Sequence, residues 1–599
     1  MGTNTARSYV ADFETTTKAE NCHVWAYAVT PVLDSENVHI GTTINDFMSW
    51  CKAQKDNPTV YFHNLKFDGQ FILYWLFHNG FKHIIPPKKG DGRPKDVLKE
   101  NRKTSNTFST MISDKGMYYA IEVYFYVKGK KVQKVTFQDS LKLIPLSVDA
   151  IAKSFKLPIQ KLEIDYTAHD DLPEGAPLSE IEQEYIKHDV QIVAHAIRYF
   201  HSQGLDKMTI GSCALDEYKK LIDRRKFTSY FPVPKYHDDV KQSYRGGFTY
   251  LNPKFSGKIV GNGIVLDVNS LYPSVMYDCS LPYGRPIFFT GQYQEDELYP
   301  LYTQMLRCSF KIKKGKIPTI QIKHYGSFAA NEYLTSSNDE EVVLCLNSVD
   351  LKLFFEHYNV SNVEYMSGWK FKATKGLFTP YIDKWSANKI NAKIEGNHGL
   401  YLISKLFLNS LYGKFGTDTK VKSKVPYLDE DEDKVKYKDT DAVSRDGVYI
   451  AMASFITSYA RLKTITAAQT VTDNYNAGKS KIQFVYADTD SLHCLSPDFE
   501  LPAGLDIDDT KLGAWKWENK FIKAKFLRQK CYIELCSEDI NNPEPDYELK
   551  VTVAGMPKAC HEKVTFKNFE EGATYRGKLQ PKIVQGGVIL KDVDFTIKM

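Results

Sequence analysis

Asp488 and Asp490 stand two apart in YADTDS, Tyr486 to Ser491, between the apolar runs IQFV and LHCL. That pattern predicts a strand, a tight turn and a second strand, with both carboxylates at the tip. Like charges so close are unfavourable unless water or a hard divalent cation neutralises them. A merely solvated turn would account for this pair alone, but a partner exists. Asp267 ends a second apolar strand, GIVLD, and the VNSLYPSVM that follows reads as a helix. Phosphoryl transfer by a two-metal route needs acidic side chains from separate strands to hold ions about 3.5 to 4 Å apart, one activating the attacking oxygen and one steadying the leaving oxygen. Asp267 with Asp490 would serve. A third element, SKLFLNSLYGKFG from Ser404 to Gly416, sets Lys405, Asn409 and Tyr412 at spacings of four and three, hence on one helix face. The lysine suits a triphosphate as a point charge, the phenol can close over a base pair, and Gly413 allows close backbone approach.

Positioning these groups takes more than one domain, because single hydrophobic cores stop growing near about 250 to 300 residues and the chain has 599. At 43% hydrophobic and 25% charged, with no apolar run of about 18 residues, the chain excludes both a membrane span and wholesale disorder. Its net charge of +5 is by itself a weak argument for a nucleic-acid partner. The ten Cys lack close pairing and nothing resembling a signal peptide precedes the first apolar strand, so a reducing, cytosolic compartment is expected.

Strand-like runs at Ser8 to Phe13 and Val24 to Thr30, and VYFHN from Val60 after a helical stretch, make an α/β beginning. The basic PPKKGDGRPKDVLKENRK, residues 86–103, lacks periodicity and is expected to be an exposed loop. Helical patterning resumes from Leu178 to Phe200 and yields to polar and turn-forming residues around Gly204 to Arg245, which puts a domain boundary near Gly204. The charge-dense stretch from Leu428 to Asp441 is expected to be a projecting hairpin or loop.

Taken together, DVNSLYPS, KLFLNSLYGKFG and YADTDS resemble motifs A, B and C of family B DNA polymerases, in that order along the chain. With DFETTT, YFHNLKFDG, YIKHD, YRGG, LRQKCY and KLGAW, the chain from Asp12 to Lys598 resembles the protein-primed polymerases of small phi-29-like Bacillus phages. The resemblance implies an α/β and α+β multidomain fold, with a ribonuclease H-like 3′-5′ exonuclease domain and a right-hand polymerase carrying two terminal-protein-region insertions. The expected division is 1–204 exonuclease, 205–278 first part of the palm, 279–376 first insertion, 377–416 fingers, 417–446 second insertion, 447–553 second part of the palm and 554–599 thumb. It implies that Asp267, the Val268 backbone and Asp490 hold metal with Asp488 beside them, and that Tyr272 is the steric gate against a ribose 2′-OH. Lys405, Asn409, Tyr412 and Gly413 would meet the incoming nucleotide, with Lys389 and Lys393 both open as a second triphosphate lysine. Lys530 and Tyr532 would touch the primer terminus; Tyr244, Gly246 and Gly247 the template; and Thr457 and Arg461 primer and template.

The N-terminal region has its own acidic set. Asp12 and Glu14 alternate onto one face of a strand, Asp68 and Asp189 sit in helical segments, and Tyr185 lies four residues before Asp189, where its hydroxyl could orient an attacking water. These residues resemble the three motifs of proofreading exonucleases. By the same resemblance Lys161 in KLEIDY is the catalytic lysine, while Thr15, His63, Asn64, Phe67, Ser140, Leu141 and Tyr166 hold a single strand. Two divalent ions per centre, magnesium or alternatively manganese, are implied, with template and primer DNA, deoxynucleoside triphosphates and a terminal priming protein as partners. A monomer, or a heterodimer with that protein, in the cytoplasm of a phage-infected bacterium is expected. Two rivals remain: an enzyme of this fold extending ordinary nucleic-acid primers, and a degenerate relative that only binds single strands. The first is opposed by the long chain between Asp267 and Asn409, more than two finger helices need; the second by two intact acidic sets.

Overall fold

In the computed structural model, which describes residues 5–87, 94–232, 236–322, 332–444 and 447–598, the N-terminal strands form a mixed eight-stranded sheet. Its order is His39–Gly41, Val24–Pro31, Ser8–Thr15, Thr59–Phe62, Lys131–Asp139, Tyr118–Lys128, Thr107–Ile112, Lys82–His83. Side chains alternate across it as strand geometry dictates. Tyr27 and Val29 join a core with the helices Ile44–Ala53 and Leu65–His78, whereas Ala26 and Ala28 join another with Val148–Phe155 and Glu180–Ser202. The last of these helices is started by a reciprocal capping box between Ser179 and Glu182, which satisfies two backbone donors.

A second sheet, entirely antiparallel, runs Glu548–Val553, Cys531–Ser537, Trp515–Arg528, Gly263–Val268, Ser491–Leu495, Gln483–Asp488, Thr249–Leu251. The largely buried helix Ile450–Asn476 lies behind it. Between the strand of Asp267 and the paired helices Thr379–Ile394 and His398–Phe415 comes a four-stranded sheet with the helix Ser348–His357 and a core of its own.

Three expectations change. The chain from Gly204 to Arg245 is not mainly turns: it forms the helices Ile210–Leu221, Arg224–Tyr230 and His237–Lys241. Tyr218 of the first is fully buried and stacks on Phe378 at 4.8 Å, and the buried cluster passes unbroken from the first sheet to the helices Thr379–Ile394 and His398–Phe415. Helices this short gain their stability from such packing and leave little periodicity to read. The basic segment 86–103 contains the helix Lys95–Glu100, while its residues 88–93 lie outside the described ones. The charge-dense stretch does form a hairpin, Lys424–Asp429 with Lys434–Asp439, but it is seated rather than projecting. Val435 and Tyr437 alternate onto one face and enter the core of the first sheet. Residues 445–446 at its end also lie outside the described ones. The C-terminal hairpin, Thr574–Val584 with Gly587–Thr596, sets its tip on the same side: a Cβ at Gly587 would lie 2.4 Å from the Phe71 ring. Among the described residues no helix is long and apolar enough to cross a membrane.

Two candidate acidic centres

On the first sheet, Asp12 and Glu14 share a strand face, and the Glu180–Ser202 helix brings Asp189 to them so that one carboxylate oxygen from each lies within 4.8 Å of the others. Asp68, from the helix Leu65–His78, is buried beside Asp12. Burial and then Asp189 raise the Asp12 carboxyl to about 7, and burial with neighbouring carboxylates holds Glu14 and Asp68 well above their ordinary range. Lys161 donates to Asp189 Oδ2 at 2.5 Å, but Asp189 Oδ1 is buried without a hydrogen-bond partner. A buried oxygen without a partner, on a carboxylate that shares its site with two more, is a donor set that fits hard divalent cations. Tyr185 is buried on the same helix, its hydroxyl 3.2 Å from that of the exposed Tyr166.

Beside this centre the carboxylate of Asp139 accepts from the backbone N–H groups of Asn64 and Leu141, at 3.1 and 3.0 Å, fastening two loops together. Ser140 is fully buried, its Oγ 2.9 Å from Nδ1 of His63, so it orients that ring rather than facing solvent. Thr15 and Phe67 are half-buried at the edges and Asn64 is exposed.

The second centre lies where strands of the second sheet end. Asp267 pairs with Ser491 in register, and Val268 N–H donates to the Asp490 carbonyl at 2.8 Å. Thr489 turns the chain in the left-handed region, φ 61°, and Thr464 Oγ1 donates to its carbonyl at 2.7 Å. Burial, then Asp490 and Glu518, push Asp267 up to about 7; burial also raises Asp490. Neither makes an ion pair among the described residues, whereas Asp488 is held by Lys530 Nζ at 2.8 and 2.9 Å. Glu518 had no separate signal in the sequence. It is the extra residue of a β-bulge, between Trp517 opposite Leu266 and Asn519 opposite Val265, and only pairing reveals a bulge.

Tyr272 and Tyr412, 140 residues apart, stack with ring centroids 4.0 Å apart and planes 18° from parallel. Lys405, Asn409 and Gly413 are exposed along the Tyr412 helix; Lys389 is half-buried and Lys393 exposed on its partner helix. A Cβ at Gly247 would lie 2.5 Å from Thr489 Oγ1, so the YRGG loop rests directly on the turn of Asp490; Gly246 is exposed in it. Tyr532 is buried, stacked on Phe526 at 5.2 Å. Thr457 and Arg461 are buried too and reach no open surface. Arg461 pairs with Asp350 at 2.5 Å and donates to the Arg245 and Gly246 carbonyls at 2.8 and 2.6 Å, so it secures the YRGG loop from behind. Asp350, this buried cation's partner, is a residue that spacing alone did not reveal.

Residues 50–177 and 173–501 match the family described as DNA polymerase type B, organellar and viral. The DNA polymerase of Bacillus phage phi29 is 44% identical over 99% of both chains, and that of Streptococcus phage Cp-1 is 32% identical over 98% of both. Phi29 DNA polymerase complexed with primer-template DNA and incoming nucleotides superposes with a TM-score of 0.88, at 43% identity over 99% of this chain and 100% of that one. The complex of the phi29 enzyme with single-stranded DNA gives 0.88 at 42% identity over the same shares.

Proposed function

The chain belongs to the organellar and viral type B DNA polymerases, and from that premise we propose that its second centre elongates a primed DNA strand while its first removes mispaired 3′ nucleotides. The observation that carries this reading is the pair of acidic centres, one on each large sheet. Asp267 and Asp490, with the Val268 carbonyl, would hold ions in the synthetic centre; Asp12, Glu14, Asp68 and Asp189 would do so in the degradative one. When bound, magnesium or manganese would lower the pKa of the attacking hydroxyl or water and neutralise the leaving oxygen. Lys405, with Lys389 or Lys393, grips the triphosphate, Asn409 and Gly413 line its path, and the Tyr412 ring closes on the base. Lys530, anchored on Asp488, and the Tyr532 aromatic stack hold the primer end. Tyr244, Gly246 and Gly247 guide the template, with Thr457 and Arg461 acting through that loop. In the first centre Lys161 holds Asp189, Tyr185 orients water, and Thr15, His63, Asn64, Phe67, Leu141 and Tyr166 grip a frayed strand, with Ser140 setting the His63 ring.

Tyr272, stacked on Tyr412, would set its ring where a ribose 2′-OH has to go. Tyr272→Val is expected to raise ribonucleotide over deoxyribonucleotide incorporation efficiency by about 100-fold; an unchanged ratio would move the gate to another residue.

The raised carboxyls give a second expectation. Their folded-state values of about 7 exceed the unfolded value near 4, so the unfolded chain ionises first and the metal-free fold loses stability as pH climbs from about 4 to about 7. Cations bind the ionised form. Magnesium should therefore raise Tm more at about pH 8 than at about pH 6. Equal increments would separate the cation effect from these carboxylates.

We also propose initiation on a terminal protein, in a phage-infected bacterial cytoplasm, with the separately cored insertion between Asp267 and the finger helices as its dock. Incubating the chain with its native partner and labelled nucleotide should attach nucleotide to a protein hydroxyl. Extension of nucleic-acid primers alone would favour the ordinary-primer rival.

A further inference from the structure

The helix Leu65–His78 carries Asp68 toward the first acidic centre, and its other faces carry the seated hairpin. Gly69 lets the helix lie close on Tyr118: a Cβ there would meet that ring at 3.3 Å. On the next residue, Gln70 Nε2 donates to the Tyr118 hydroxyl at 2.9 Å, and Tyr437 of the hairpin donates to Gln70 Oε1 at 2.7 Å. The Tyr118 and Tyr437 hydroxyls also bond to each other, closing a buried three-membered ring of hydrogen bonds. Two turns on, the hairpin tip is fastened to the same helix. Asp433 accepts from Tyr74 and His78 at 2.8 Å, and from Gln585 of the C-terminal hairpin at 2.8 Å.

We propose that Tyr437 is a positioning residue for the degradative centre: the seating of the hairpin on this helix sets where Asp68 stands. The inference rests on the reading of that centre as an exonuclease. Its physical ground is that Asp68 is 4% exposed and crowded by Asp12, so it has no solvent to adapt to, and a displacement of about 1 Å in such a constellation can cost as much as 100-fold in rate. The ring at Gln70 is two residues from the carboxylate and is closed by a side chain 367 residues onward in the chain. Lifting the hairpin would lower hydrolysis while leaving the Asp267 centre untouched.

The test uses the full chain with Tyr437→Phe, Gln70→Leu and both together, read as kcat and KM for release of nucleotides from a short single-stranded oligonucleotide, beside single-nucleotide insertion. The expected result is a kcat lower by about tenfold, with KM and insertion unchanged, as for other residues that support a metal-holding carboxylate. Because both variants break the Tyr437–Gln70 bond and open the same ring, the double should lose little more than the worse single. An unchanged kcat, a change confined to KM, or additive losses would each overturn the proposal. Should Tyr437→Phe fail to fold, Asp433→Ala, which loosens the tip without touching Gln70, must lower kcat in the same direction though by less, with KM unchanged. Asp68→Ala separates the two ideas. If it spares hydrolysis, the exonuclease reading fails; if it abolishes hydrolysis while Tyr437→Phe changes nothing, only the positioning role fails.

Discussion

Asp12→Ala combined with Asp68→Ala is expected to lower nucleotide release from a 3′ end by about 10³-fold or more while sparing primer extension, and Asp490→Asn to do the reverse. The two acidic sets stand on different sheets and neither contributes a carboxylate to the other. Asp490→Asn keeps shape, and the Val268 N–H bond goes to the residue 490 carbonyl, which the substitution leaves in place. What it removes is the charge that, with Asp267, holds cations. Loss of activity can be told from unfolding by its sign. Each of these carboxylates is buried beside like charge, so removing one should leave Tm of the metal-free protein unchanged or raised. Extension and release by each purified variant, with Tm alongside, make the measurement; parallel loss of both activities in a folded variant would end the two-centre model.

Asp12, Glu14, Asp267, Asp488 and Asp490 were readable because they end or alternate along strands whose apolar pattern is plain, as in IQFVYADTDS and GIVLD. What stayed hidden depends on partners distant in sequence. The helices between Gly204 and Arg245 are held by Phe378 and Phe415, about 150 to 190 residues onward, and their own sequences are short and rich in charge. Arg461 in TSYAR looks like a free cation until Asp350, from the helix Ser348–His357, is found against it. Glu518 becomes part of the second centre only through a bulge in pairing. The hairpin's seat was equally hidden: alternation in KVKYKD shows that Val435 and Tyr437 share a face, but not which core receives it.

From that seat we propose a mechanical role for the hairpin, closure around duplex. Its tip is joined by Asp433 to a helix of the first sheet and to the C-terminal hairpin, so these three elements close a ring of contacts. A closed loop around duplex slows dissociation without strong net positive charge, which suits a protein at only +5, and its edge could part downstream strands. The three hydrogen bonds at Asp433 are partly exposed and are worth about 1 kcal/mol each, enough to make opening about 100-fold rarer. Replacing Thr417 to Asp446 by a short Gly/Ser link removes this closure but no metal-holding carboxylate. Single-nucleotide addition on an open template should then stay nearly intact. Under a trap that permits one binding event, products should shorten by about tenfold or more and synthesis should stall at a duplex roadblock. Asp433→Ala should shorten products in the same direction but less, because Val435 and Tyr437 still anchor the hairpin. If the deleted enzyme copies long tracts through duplex in one binding event, closure by the hairpin does not govern processivity, and the enclosure has to be sought elsewhere in the chain.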